Sequence, residues 1–257
     1  CKLLYLIIMK KYCFVLSFLM CVFISSCENE NICLTSKSKV EELKKISEYH
    51  SSGLDAIYTQ LAGSSTRSIS SNVTRKDIIR LASDYIYSQS KLENFKTRSL
   101  SPSEQISDTI VRQLSPKADS LFNEYFTNLV KSSSKESMLS YVESLLREET
   151  FMSLDSGEQN FLTFMMYIGI DSAEYWSNPY NLDKWMSLKT NSPITTTRSV
   201  AGPAGRYWLT RKQINNPAFQ KILGADCRGC GYSLLCGFSP WGWAAGGIAG
   251  SVDAALF

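Results

Sequence analysis

Apolar side chains recur three and four positions apart through most of residues 36–177, the spacing that gathers them on one face of an α-helix. Val40, Leu43 and Ile46 form the first stripe, and Leu54, Ile57, Tyr58 and Leu61 continue it beyond Gly53. The serine-rich stretch 63–72 reads as a loop. After it Thr74 is placed to cap a helix whose inner face holds Ile78, Leu81, Ala82, Tyr85 and Leu92. Two further helices flank Leu114-Ser115-Pro116, where Ser115 suits the N-cap and Pro116 the first helical position, at which a missing N–H costs nothing. The following face runs Leu121, Phe122, Tyr125, Phe126 and Leu129. Ser132, Ser133 and Ser134 interrupt it, and Met138, Tyr141, Val142, Leu145 and Leu146 make the next. Ser38-Lys-Val-Glu41 and Ser156-Gly-Glu-Gln159 both have the form of a capping box, in which serine and acid or amide satisfy each other's end groups. The second opens the most apolar helix, 161–170, expected to be buried on several sides. Tyr175, Trp176 and Trp185 follow around the turn Asn178-Pro179 and read as core or lid packing rather than a binding platform. The pattern predicts an all-α, bundle-like domain over residues 38–190.

The two ends break this pattern. Near the start, Met9 precedes Lys10-Lys11, an apolar run over 12–23, and then Ile24-Ser25-Ser26-Cys27. That is the charged, apolar and small-residue order of a signal peptide over 1–26, with residues 1–8 expected to lie upstream of the true start. Ile24-Ser25-Ser26-Cys27 resembles the lipobox of bacterial lipoproteins, in which an aliphatic and two small residues precede the cysteine. The resemblance implies that the Cys27 thiol is diacylated with palmitate-type chains, that the bond before it is cut, and that the new amine is acylated too. More than one chain matters, because a single one binds a membrane only marginally. Residues 27–37 would then be a tether. Its Glu28, Asn29 and Glu30 resemble the acidic run that sends some lipoproteins to the cell surface, and a solvated linker is the plainer reading. The expected location is the cell envelope, at the outer membrane, with surface display as the further hypothesis.

Toward the other end, 191–223 reads as linker and short elements, including the turn at Gly202-Pro203. From 224 to 257 the charged residues are Asp226, Arg228 and Asp253 alone. Gly242, Gly246 and Gly250 recur every fourth residue and Ala254 extends the row, so a helix here would offer a face almost without side chains to a close neighbour. The spacing resembles glycine-zipper segments of membrane-associated proteins, and Trp241 and Trp243 suit a membrane interface. Pro240, Asp253 and a length below the roughly 20 residues a bilayer core requires oppose a span. Packing on the helical domain is favoured over partial insertion. Cys227-x-x-Cys230 followed by Cys236 lacks a nearby fourth ligand for zinc and a βαβ context for redox chemistry. In an oxidising envelope a disulfide among these three is the expectation, with one thiol left for Cys33 or another chain.

Composition narrows the chemistry. The chain has 27 basic and 24 acidic residues, and Lys2, Lys10 and Lys11 fall in the signal segment, so the remainder is formally neutral. A nucleic-acid partner, which needs a basic face to displace counterions, gains no support. No Gly-x-Ser-x-Gly, His-Glu-x-x-His or phosphate-cradling glycine loop occurs, and no metal or cofactor is expected. His50 is the sole histidine. Any Ser-His-Asp or Cys-His chemistry would depend on it, and without visible partners it reads as a surface or packing residue. Asp108-Thr109-Ile110, Asp119-Ser120-Leu121 and Asp171-Ser172-Ala173 resemble a short O-glycosylation signal of some gut anaerobes, too short to weigh in function. The expected role is non-enzymatic: binding or structural support by a lipid-anchored helical domain, with a protein partner or self-association through the tail. The alternative is a membrane-active, pore-forming or toxin-like protein acting through the glycine-rich tail.

Overall fold

The computed structural model describes residues 37–64, 73–92, 114–190, 208–210, 213, 215–234 and 240–257, without the side chains at 37, 64, 92, 218, 228–234 and 240. The expected signal peptide, the lipidation candidate Cys27, Cys33, Cys236 and Thr109 lie outside the described residues. Every regular element among the described residues is an α-helix. In chain order these are α1 (Lys37–Ser47), α2 (Tyr49–Ser64), α3 (Arg75–Leu92), α4 (Pro116–Lys131), α5 (Lys135–Leu145), the short α6 (Glu149–Met152), α7 (Ser156–Ser177), α8 (Pro179–Thr190), α9 (Pro217–Leu234) and α10 (Pro240–Leu256). The fold is all-α, as the periodicity predicts.

Two helices organise the packing. α7 touches α1, α2, α4, α5, α8, α9 and α10, which is why residues 161–170 are buried without a polar break in their exposure pattern. α10 lies against α9 most extensively, then against α3, α2, α8 and α1. The amphipathic stripes turn inward onto these two: Leu43 and Ile46 from α1, Leu54 and Ile57 from α2, Ile78, Ala82 and Ile86 from α3, Leu121, Tyr125 and Leu129 from α4. Trp176 and Trp185 are fully enclosed in the same cluster. Full burial of an apolar side chain of this size is worth about 1.5–3 kcal/mol, so the stripes supply the main drive to dock.

Local chemistry sets the helix starts, in two places differently from expectation. Ser115 caps α4 by accepting from Ala118 N at 3.2 Å, with Pro116 at the first helical position. Thr74 caps α3, its Oγ1 accepting from Asp77 N at 3.3 Å while Asp77 Oδ2 accepts from Thr74 N at 3.0 Å. For α7 the cap is Asp155 rather than Ser156: Asp155 Oδ1 accepts from Glu158 N at 2.9 Å. Glu158 crosses to Ser115, accepting from its N at 2.7 Å and its Oγ at 3.1 Å. Gln159 instead donates to Met152 O and Leu154 O. Similarly α1 already includes Lys37, so Ser38 lies within the helix rather than capping it, and the helix begins at the last residue assigned to the tether.

Composition changes at 224, yet the backbone does not. α9 runs through Gly224, joining residues assigned to the linker with residues assigned to the tail. Phe219, Ile222 and Leu223 on one side of that point, and Trp241, Trp243, Ala244, Ile248 and Val252 beyond it, belong to one apolar cluster with the preceding helices.

Candidate functional site

Four of the described polar residues without exposed surface, His50, Ser172, Asp226 and Ser251, gather where α2, α7, α9 and α10 meet. His50 lies in the first turn of α2 and has no exposed surface. Its Nδ1 is 3.3 Å from Asp171 Oδ2 on α7, and its Nε2 is 3.1 Å from Ser251 Oγ on α10. Asp226 on α9, also without exposure, brings Oδ2 to 3.8 Å from the same Nε2. That oxygen accepts from Ser172 Oγ and, at 3.1 Å, from Trp176 Nε1. Asp171 Oδ2 accepts further from Ser51 N at 3.1 Å and Ser51 Oγ at 2.7 Å. Four helices therefore each place a polar group on one imidazole or its nearest carboxylates.

Electrostatics follow from the enclosure. Burial pushes the Asp226 carboxyl up to about 7, against the opposing pull of the His50 charge and of the Ser172 and Trp176 hydrogen bonds. For His50, burial alone would favour the neutral ring; the hydrogen bond to Asp171 and the charges of Asp226 and Asp171 outweigh it and raise the imidazole above its ordinary value.

In bonding order, Ser251, His50 and Asp171 have the connectivity of nucleophile, base and orienting acid. Two features oppose that use here. Ser251 sits in the body of a helix with no exposed surface, so a substrate carbonyl has no approach to its Oγ. Asp226 also competes for Nε2, drawing the proton toward a carboxylate rather than relaying it from a hydroxyl. The chain matches no protein-family model, no curated protein and no solved structure. Among the described residues no three His, Cys, Asp or Glu side chains converge as metal ligands.

A second polar group borders the first. Lys184 of α8, almost fully buried, bonds Asp55 and lies 5.1, 5.2 and 5.8 Å from the ring centres of Tyr58, Tyr175 and Tyr180. Tyr175 OH donates to Asp55 Oδ1 at 2.8 Å and accepts from Trp185 Nε1 at 3.1 Å. Tyr175, read from the sequence as a packing residue, thus joins Tyr58 and Tyr180 around an internal cation, a cation–π arrangement filled by the chain itself.

The other sequence-derived candidates fall as follows. Trp241 and Trp243 are buried, the first against Tyr49 and the second edge-on to Phe161 and Phe164. Gly242 is buried, while Gly246, Gly250 and Ala254 are half-buried on α10, which packs most extensively against α9. No described helix is long and apolar enough to cross a membrane. Cys227 is buried on α9; the Cys230 side chain and Cys236 lie outside the described residues. Ser172 is buried and bonded to Asp226, which closes it to a glycosyl group, whereas Ser120 is exposed on α4.

Of the two readings the sequence left for His50, surface or packing, the structure has the second: the ring is fully buried, with polar partners on three other helices that no spacing in the sequence reveals. One signal pointed there: Asp226 is a carboxylate in a nearly uncharged segment, and such a group is stable only beside a partner.

Proposed function

We propose that this protein is a lipid-anchored protein of the bacterial envelope whose helical domain has a non-enzymatic, binding or structural role. The observation that carries the reading is the succession Lys10-Lys11, apolar run, Ile24-Ser25-Ser26-Cys27, which supplies export and a lipid-bearing cysteine together. The enclosure of Ser251 and His50 supports the non-enzymatic part, since a nucleophile must meet its substrate. Expression in a bacterial host fed an alkyne-tagged palmitate tests the anchor: the chain is expected to take up label and the Cys27→Ser variant to take up none. An unlabelled wild-type chain would sink the proposal.

The row Gly242, Gly246, Gly250 and Ala254 favours a second reading, membrane activity through the tail. For that, α10 must first leave a core in which Ile248 and Val252 have no exposed surface. Dye leakage from liposomes, abolished by Gly246→Leu, would favour this second reading; intact liposomes at every protein concentration would remove it.

A further inference from the structure

We propose that the recess framed by Asp55, Tyr58, Tyr175 and Tyr180 is a binding site for a trimethylammonium head group, with Lys184 as its internal competitor, occupying the recess until the ligand takes its place. This goes beyond the lipoprotein reading and holds whether or not Cys27 carries a lipid.

Three helices assemble the recess. Asp55 and Tyr58 lie one turn apart on α2, Tyr175 stands near the end of α7, and Tyr180 and Lys184 lie one turn apart on α8. All three ring centres are within the roughly 6 Å over which an aromatic face attracts a cation. The walls are braced by contacts that do not involve the lysine. Tyr175 bonds Asp55 and Trp185 through its hydroxyl, and Tyr58 stands edge-on to Trp185 with ring centres 5.5 Å apart. Tyr180 is set by the turn at Asn178, whose Oδ1 accepts from Tyr180 N at 3.0 Å.

The recess borders solvent. The Asp55 side chain is 58% exposed and that of Lys184 6%, while Tyr58 and Tyr180 are half-buried. The ammonium is thus the inner end of an ion pair whose outer end is in water, an arrangement that contributes little net stability. A methionine would fill the same space without desolvating a charge. Three tyrosine faces and a carboxylate around one point serve packing poorly and hold a cation well. The four-carbon lysine stem is flexible enough to withdraw past the exposed carboxylate.

The walls favour a weakly hydrated cation. An incoming primary ammonium would give up its water for the carboxylate contact that Lys184 already makes, and so gains nothing over it. Methyl groups on the nitrogen give the charge an apolar surface for the tyrosine faces to cover and leave little hydration to lose. Lys184 weakens the apparent affinity by the fraction of time the recess is free. With the lysine inside about nine-tenths of the time, its removal tightens binding about tenfold.

Choline is the probe, followed by amide shifts of the whole chain in NMR. The expected result is saturable shifts at Tyr58, Tyr175 and α8 in the wild type, with binding about tenfold tighter in Lys184→Ala. Lys184→Arg, which keeps a cation in the recess, is expected to bind as weakly as the wild type. Asp55→Asn added to Lys184→Ala is expected to loosen binding again. The uncharged isostere of choline, with a tert-butyl group for trimethylammonium, is expected to bind neither chain. Glycerophosphocholine and a soluble short-chain phosphatidylcholine separate the sources of the head group: tighter binding of the second assigns a lipid, and equal or weaker binding a free molecule. No saturable shift in the folded wild type, equal affinities of wild type and Lys184→Ala, or equal binding of the isostere would each overturn the proposal. Binding by Lys184→Ala alone marks an engineered cavity and overturns it too. If Lys184→Ala does not fold, Lys184→Met takes its place with the same expectations.

Discussion

A methyl group added at Gly169 would run into the Tyr125 hydroxyl and lie 3.3 Å from Cys227 Sγ. α7 can approach α4 and α9 this closely because the position has no side chain. Tyr125 is itself fixed, donating to Met166 O at 2.6 Å from a fully buried ring. Neither ring nor backbone can yield cheaply, so Gly169→Ala is expected to cost about 1–3 kcal/mol, read as a lower urea midpoint at unchanged slope. Gly53 has the same role on α2, where a methyl would collide with Ile248 and come within 3.0 Å of Tyr85. From sequence Gly53 was only the point beyond which one apolar stripe continues. Its real constraint, the proximity of α10, involves a residue nearly two hundred positions away and leaves no local trace.

Helix ends are decided by single hydrogen bonds. Removing the Ser115 hydroxyl leaves Ala118 N without its cap and Glu158 with one partner fewer, so Ser115→Ala is expected to lower stability by about 1 kcal/mol in a thermal or urea melt. At the start of α3, hydrogen bonds from Thr74 hold the Asp77 carboxyl below its usual range. A depressed folded value means that this support is present above the ordinary carboxylate range and fades as pH falls through the folded one. The Asp77 amide shift is expected to follow that fading, while Asp77→Asn leaves it flat. These caps were readable because an N-cap involves neighbours within three positions. The error at α7 has the same origin in reverse: Asp155 and Ser156 are both competent caps one position apart, and the choice went to Asp155, while Glu158 reaches Ser115 at the start of α4.

At the scale of the whole molecule, α10 is a core element rather than an appendage. A chain ending before Pro240 loses Trp241, Trp243, Ala244, Ile248 and Val252 from the cluster and uncovers faces of α3 and α9. Such a truncation is expected to lose its near-ultraviolet dichroism and its cooperative thermal transition while keeping helical far-ultraviolet signal. A sharp transition like that of the whole chain would show the tail to be dispensable.

The helical class, most inward faces and two of the caps could be read from the residues, because helix periodicity and capping act over three or four positions. His50 and Trp241 could not be assigned their surroundings that way. A histidine beside a tyrosine is compatible with surface or interior, and a tryptophan in a glycine-rich segment suits a bilayer or a protein core equally well. What settled both was the docking of α9 and α10 onto α2 and α7, which brings Asp226 and Ser251 to an imidazole far away in the chain. The sequence by itself determined which segments are helical and which faces seek cover. Only the tertiary structure decided which face covers which, because burial is non-directional and polar partners are chosen after apolar faces have met.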